Sequence, residues 1–135
     1  MTPPEHIQFL SPSTLTPTSG YSHVVKVTGG QTIYIAGQVA LDASRNLVGR
    51  DDFRAQAQQI FENIKAALAA VGADFSHVVK LNIYVLNRAW LPILREVRDQ
   101  YVNTQAPPAS TAVEVRGLAQ EDFLLEIEAI ASLPA

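Results

Sequence analysis

Residues 123–131, Phe-Leu-Leu-Glu-Ile-Glu-Ala-Ile-Ala, alternate in the manner of a β-strand and constrain the rest of the chain. Leu125, Ile127, Ala129 and Ala131 point one way, and Leu124, Glu126, Glu128 and Ile130 the other. Glu126 and Glu128 are therefore neighbours on one face. Carboxylates in an apolar strand are costly to bury without partners, so this pair needs water, a cation or a ligand. On the residues alone, a salt-bridged pair on a solvated or subunit-contact face is the favoured reading.

The segments before this strand have distinct periods. Residues 1–20 are rich in proline, serine and threonine and read as an extended lead-in to one domain spanning 1–135. Residues 23–28 and 32–39 are β-branched runs separated by Gly29-Gly30-Gln31, a candidate hairpin. Alternation puts Ile33, Ile35, Gly37 and Val39 on one face and Thr32, Tyr34, Ala36 and Gln38 on the other. Asp51 and Asp52 can cap a helix running to about Val71, with Gly72 as its stop. Residues 78–86 read as a strand with Val79, Leu81, Ile83 and Val85 inward and Lys80, Asn82 and Tyr84 outward. A second amphipathic helix follows Asn87 and ends near Val102, with Pro92 tolerated in its first turn. Residues 110–115 form a further strand, with Ser110, Ala112 and Glu114 expected on the face that carries Glu126.

The order strand-strand-helix-strand-helix-strand-strand predicts an α+β domain, a single mixed sheet covered on one face by two helices. The opposite face mixes Tyr34, Ala36, Tyr84, Ala112, Leu124 and Ile130 with Lys80, Asn82, Glu114, Glu126 and Glu128. It is too apolar for plain solvent, and the chain holds no third layer to cover it. Another subunit is the expected cover, with a ligand site between subunits.

Composition narrows the chemistry. The chain has no cysteine, which excludes disulfides, thiolate nucleophiles and cysteine-ligated zinc. His6, His23 and His77 match no metal-binding spacing, so no metal is expected. A Ser110–His23–carboxylate relay can be drawn but has no support in the pattern. The net charge of −3 argues against a nucleic-acid partner. No basic leader or bilayer-length apolar run is present, so a cytoplasmic protein without a membrane partner is expected. Arg54, Arg88, Arg95 and Arg98 lie in or beside helices, and a solvated face is the favoured place for most of them.

Several segments, taken in order, resemble the RidA/YjgF family: Gly20-Tyr21-Ser22-His23, Ile35-Ala36-Gly37-Gln38-Val39, Ala69-Ala70-Val71-Gly72-Ala73, Val78-Val79-Lys80, Pro107-Pro108-Ala109-Ser110, Val113-Glu114-Val115 and Leu125-Glu126-Ile127-Glu128-Ala129-Ile130-Ala131. The resemblance implies a chorismate-mutase-like fold and a homotrimer with clefts between subunits. It also implies cofactor-free hydrolysis of enamine or imine metabolites, such as 2-aminoacrylate, to a keto acid and ammonia. Carried over residue by residue, it makes Glu126 the catalytic carboxylate and lines the cleft with Tyr21, Ala36, Gly37, Arg95, Ser110 and Ala112.

One departure matters physically. The family's cleft arginine falls at Ser110. Arginine grips a carboxylate through two charge-assisted hydrogen bonds, where serine offers one neutral donor. A charged hydrogen bond contributes about 1.5–3 kcal/mol, so its loss weakens binding by roughly one to two decades or more. Standard imino-acid deaminase activity is therefore expected to be weak or absent, unless Arg95 supplies the charge or the ligand is neutral. The alternative is a non-catalytic ligand-binding or interaction protein on the same scaffold. An RNA-directed translation inhibitor or ribonuclease is the least favoured reading.

Overall fold

A computed structural model describes residues 1–135. The C-terminal alternating run becomes β6 (Leu125–Leu133), one of the two interior strands of a four-stranded sheet. It pairs antiparallel with β3 (Gln31–Gln38) on one side and β4 (Val78–Val85) on the other. β5 (Ala109–Glu114) adds parallel to β4 at the edge. The order is β3-β6-β4-β5.

Two crossovers carry the helices. α1 (Phe53–Ala69) links β3 to β4, and α2 (Leu91–Arg98) links β4 to β5. The Asp52 carboxylate accepts from the Ala55 N–H at 3.1 Å and caps α1, as expected. Beyond the helix, Gly72 adopts φ +75°, which only glycine enters freely. The second helix is shorter than its pattern suggests: a 3-10 turn at Arg88–Trp90 precedes α2, with Pro92 in the first helical turn. Phe53, Ala57, Ile60, Phe61, Ile64 and Leu68 of α1 bury against Leu81, Ile83, Val85, Leu125, Ile127, Ala129 and Ala131 of the sheet. The α+β class and the two-helix cover match the expectation.

The N-terminal region differs. Residues 23–28 do not form a hairpin with 32–39. Instead β2 (Val24–Val27) pairs antiparallel with β1 (Ile7–Leu10), which lies inside the proline-rich lead-in. These two strands form a separate small sheet. Gly29 and Gly30 still turn the chain at φ +69° and +92°, but between two sheets. In β4, a register shift between Val78 and Lys80 buries Val78 completely, whereas Val79 is only partly buried.

Ile127 is fully buried at the centre of the sheet. Ile127→Ala should cost about 2–5 kcal/mol, through lost burial plus the cavity left behind. Urea unfolding would show it as a lower midpoint with little change in slope.

Tyr101 stacks on Phe61 at 5.2 Å between ring centroids, and its ring lies 5.6 Å from that of Phe75. Burial, reinforced by the Glu62 carboxylate, pushes its phenol up to about 12 from 10.0. Below pH 10 the phenol is protonated in both folded and unfolded chains. Above it the unfolded chain ionises first, so stability should fall between pH 10 and about 12. Tyr101→Phe should flatten that fall in unfolding measurements made across this range.

Candidate functional site

The residues selected from sequence collect in two places, on opposite faces of the sheet. Asn82 and Tyr84 of β4 sit opposite Glu128 and Glu126 of β6, so these four share the helix-free face. The two carboxylates differ. Glu128 Oε1 accepts the Tyr84 hydroxyl at 2.7 Å, which fixes it. That hydrogen bond, with some burial and the charges of Glu128 and Glu126, raises the Tyr84 phenol above its ordinary range. Glu126 is partly buried and takes part in no hydrogen bond or ion pair.

Gly37 explains where the Glu126 carboxylate lies. Alternation puts Gly37 on the helix-covered side. A β-bulge between Ile35 and Gln38 breaks that alternation. A Cβ built at Gly37 would overlap Glu126 Oε2. The missing side chain is therefore the space the carboxylate occupies. The backbone just beyond the bulge is held by Asn63 of α1, whose Nδ2 donates to the carbonyls of Val39 at 3.1 Å and Leu41 at 2.9 Å. Gln56 of α1 fixes the entry to β6: it donates to the Asp122 carbonyl at 2.9 Å and accepts the Leu124 N–H at 2.9 Å. Ala36 lies exposed on the same face and, with Tyr34, Asn82, Glu128 and Ile130, lines a groove.

Ser110 and Ala112 are elsewhere, contrary to the alternation reading. They stand level with Leu81 and Ile83 in the parallel β4–β5 ladder. Leu81 and Ile83 face the helices, so Ser110 and Ala112 do too. Thr111 is the β5 residue on the Glu126 side, where its hydroxyl accepts from Lys80 Nζ at 2.8 Å. The reason is a one-residue register difference at an edge strand, and one step exchanges the faces.

On this helix side, Tyr21, Arg95, Ser110 and Ala112 converge on a groove of about 160 Å³, completed by Ser19, Ile83, Leu91, Leu94 and Arg98. The Ser19–Tyr21 segment is anchored over it. Ser22 donates its hydroxyl to the Pro107 carbonyl at 2.6 Å and its N–H to the Pro108 carbonyl at 3.1 Å, just ahead of β5. His23 does not join Ser110 in a relay; its Nε2 lies 2.6 Å from the Thr16 carbonyl oxygen.

Arg98 is the residue missed from sequence. It is only 7% exposed, not part of a solvated face, whereas Arg95 one turn earlier is exposed. Its Nε and Nη2 donate to Asp99 Oδ1 at 3.1 and 2.9 Å. A Cβ at Gly20 would overlap Arg98 Nη2, and Gly20 itself has φ +81°. Leu91, Leu94, Arg95 and Arg98 follow i, i+3, i+4, i+7 spacing on one stripe of α2, but the exposed Arg95 shares that stripe, so the spacing alone does not mark Arg98 as buried.

A family model described as Endoribonuclease L-PSP matches residues 12–133. Protein DfrA of Myxococcus xanthus is 40% identical over 111 residues, covering 82% of this chain and 83% of that protein. A protein of Dermatophagoides farinae named 2-iminobutanoate/2-iminopropanoate deaminase is 34% identical over 116 residues, 84% of this chain and 86% of its own. Among solved structures, the conserved Rid-family protein YyfB of Yersinia pestis superposes with a TM-score of 0.85 at 36% identity, covering 95% of this chain and 99% of that one. No helix is long and apolar enough to cross a membrane. With a family model over residues 12–133 and matches that cover 82% and 95% of its length, the chain belongs to the RidA/YjgF family.

Proposed function

We propose that the chain is a homotrimeric hydrolase of small enamine or imine metabolites, acting in clefts formed where the helix-free face of one copy meets the α2–β5 groove of the next. The observation that carries this reading is the unpaired Glu126 carboxylate, housed in the space left by Gly37 beside a Glu128 already occupied by Tyr84. Its counterpart groove, with Tyr21 and Ser110, opens on the other side of the same sheet. A single sheet cannot bring those halves together, and a second copy can. Similarity to a protein named as a 2-imino acid deaminase supports the reaction class.

The chemistry needs no cofactor. An enamine first takes a proton at carbon and gives one up from nitrogen, becoming the imine with no net change in protons. Glu126 then accepts a proton from water as the oxygen adds to the C=N carbon. The proton passes to nitrogen, and the carbinolamine collapses to a carbonyl compound and ammonia. RNA is disfavoured as a substrate by the net charge of −3 and by the two neighbouring carboxylates, Glu126 and Glu128, on the helix-free face.

The test is ammonia and keto-acid release from freshly generated 2-aminoacrylate. Release that depends on Glu126 is expected. Saturable binding of keto acids without any release would instead assign the chain to ligand binding alone.

A further inference from the structure

We propose that Arg98 of α2 replaces the absent β5 arginine as the anchor for a carboxylate, so that the groove takes small 2-oxo or 2-imino monocarboxylates. This inference rests on the cleft reading above and names its ligand class.

Three observations converge on Arg98. The first is burial: Arg98 is 7% exposed as a residue and its side chain is packed in place, unlike the exposed Arg95. The second is clamping. Asp99 holds Nε and Nη2 on one edge, and the bare backbone of Gly20 lies against the guanidinium. Nη1 forms none of the hydrogen bonds of the folded chain and remains for a ligand. The third is company: Ser110, Tyr21 and Arg95 line the same groove. Asp99 offsets one positive charge, and two guanidiniums against one carboxylate still leave the groove net positive.

The geometry also shapes the grip. A β5 arginine would offer a free two-pronged edge. Arg98 offers mainly Nη1, and Ser110 can donate the second hydrogen bond from the facing strand. Such a pair suits one planar carboxylate on a short chain, in keeping with a groove of about 160 Å³. The Ser110 replacement then moves the anchor to the helix without removing it.

Pyruvate and its neutral methyl ester serve as probes, followed by NMR titration of the assembled protein. The wild type should bind pyruvate at least tenfold more tightly than the ester. Arg98→Gln should weaken pyruvate at least tenfold and leave the ester unchanged, whereas Arg98→Lys should recover part of the loss. Gly20→Ala, which keeps the charge but displaces the guanidinium, should resemble Arg98→Gln. Thermal melting identifies any variant that fails to fold, and Arg98→Lys then carries the comparison. Equal affinity of the wild type for the two probes, or unchanged pyruvate affinity in Arg98→Gln, would overturn the assignment. Ammonia release is read separately. A wild type that prefers pyruvate through Arg98 but releases no ammonia from 2-aminoacrylate retains the anchor and loses the hydrolase reading.

Discussion

Glu126→Gln should lower the hydrolysis of 2-aminoacrylate by roughly 10²–10⁴-fold, the range typical for removal of a general base. Glutamine keeps the shape and the hydrogen-bonding reach but cannot take a proton from water. Substrate affinity should change little, because the change falls on kcat. Glu128→Gln is the informative contrast. Its carboxylate already accepts the Tyr84 hydroxyl, so that variant should alter local stability more than rate. Gly37→Ala should mimic Glu126→Gln by displacing the carboxylate while leaving its chemistry unchanged. The added methyl claims the space of Glu126 Oε2, and a flexible side chain yields more easily than backbone. Catalysis should suffer more than stability. Near wild-type rates in both Glu126→Gln and Gly37→Ala would remove Glu126 from the reaction.

Alternation carried the sheet well wherever strands are regular and buried. Leu125, Ile127, Ala129 and Ala131 lie inward as read, because a central strand with one apolar face has a single acceptable register. The helix starting at Asp52 was legible for a similar reason: cap, stripe and stop all agree. Alternation failed where the backbone departs from a period of two. At Gly37 the bulge turns the glycine towards Glu126, and only the family resemblance placed the two together. At Ser110 the edge strand has too few buried residues to state its own face; Ala112 and Val113 are both exposed. β1 was hidden because four residues among prolines carry almost no periodic signal, and its pairing with β2 is set by tertiary contacts. Arg98 was missed because charge alone suggests solvent. What buries it is a glycine 78 positions earlier in the chain, and no local pattern reports such a contact.

Tyr34→Glu should convert the assembly to monomers at micromolar concentration and abolish hydrolysis, although every residue named in the reaction is intact. Tyr34 is 78% exposed in the isolated chain, on the same helix-free face as Ala36 and Ile130. An exposed substitution of this kind normally changes the stability of a single chain by no more than about 0.5 kcal/mol. In the proposed trimer this position lies in the interface, and Glu128 stands nearby on the neighbouring strand. On that reading a new carboxylate there loses water and meets an existing negative charge, at a cost of several kcal/mol for each copy. The cost falls on assembly and spares the fold, so sedimentation should show a third of the mass with unchanged secondary structure. Activity should disappear with the assembly, because Glu126 and the Arg98–Ser110 groove lie on opposite faces of one sheet, and the proposed cleft joins them only across two copies. A Tyr34→Glu monomer that still hydrolysed 2-aminoacrylate would prove that one chain holds a complete site, and the shared cleft would have to be abandoned.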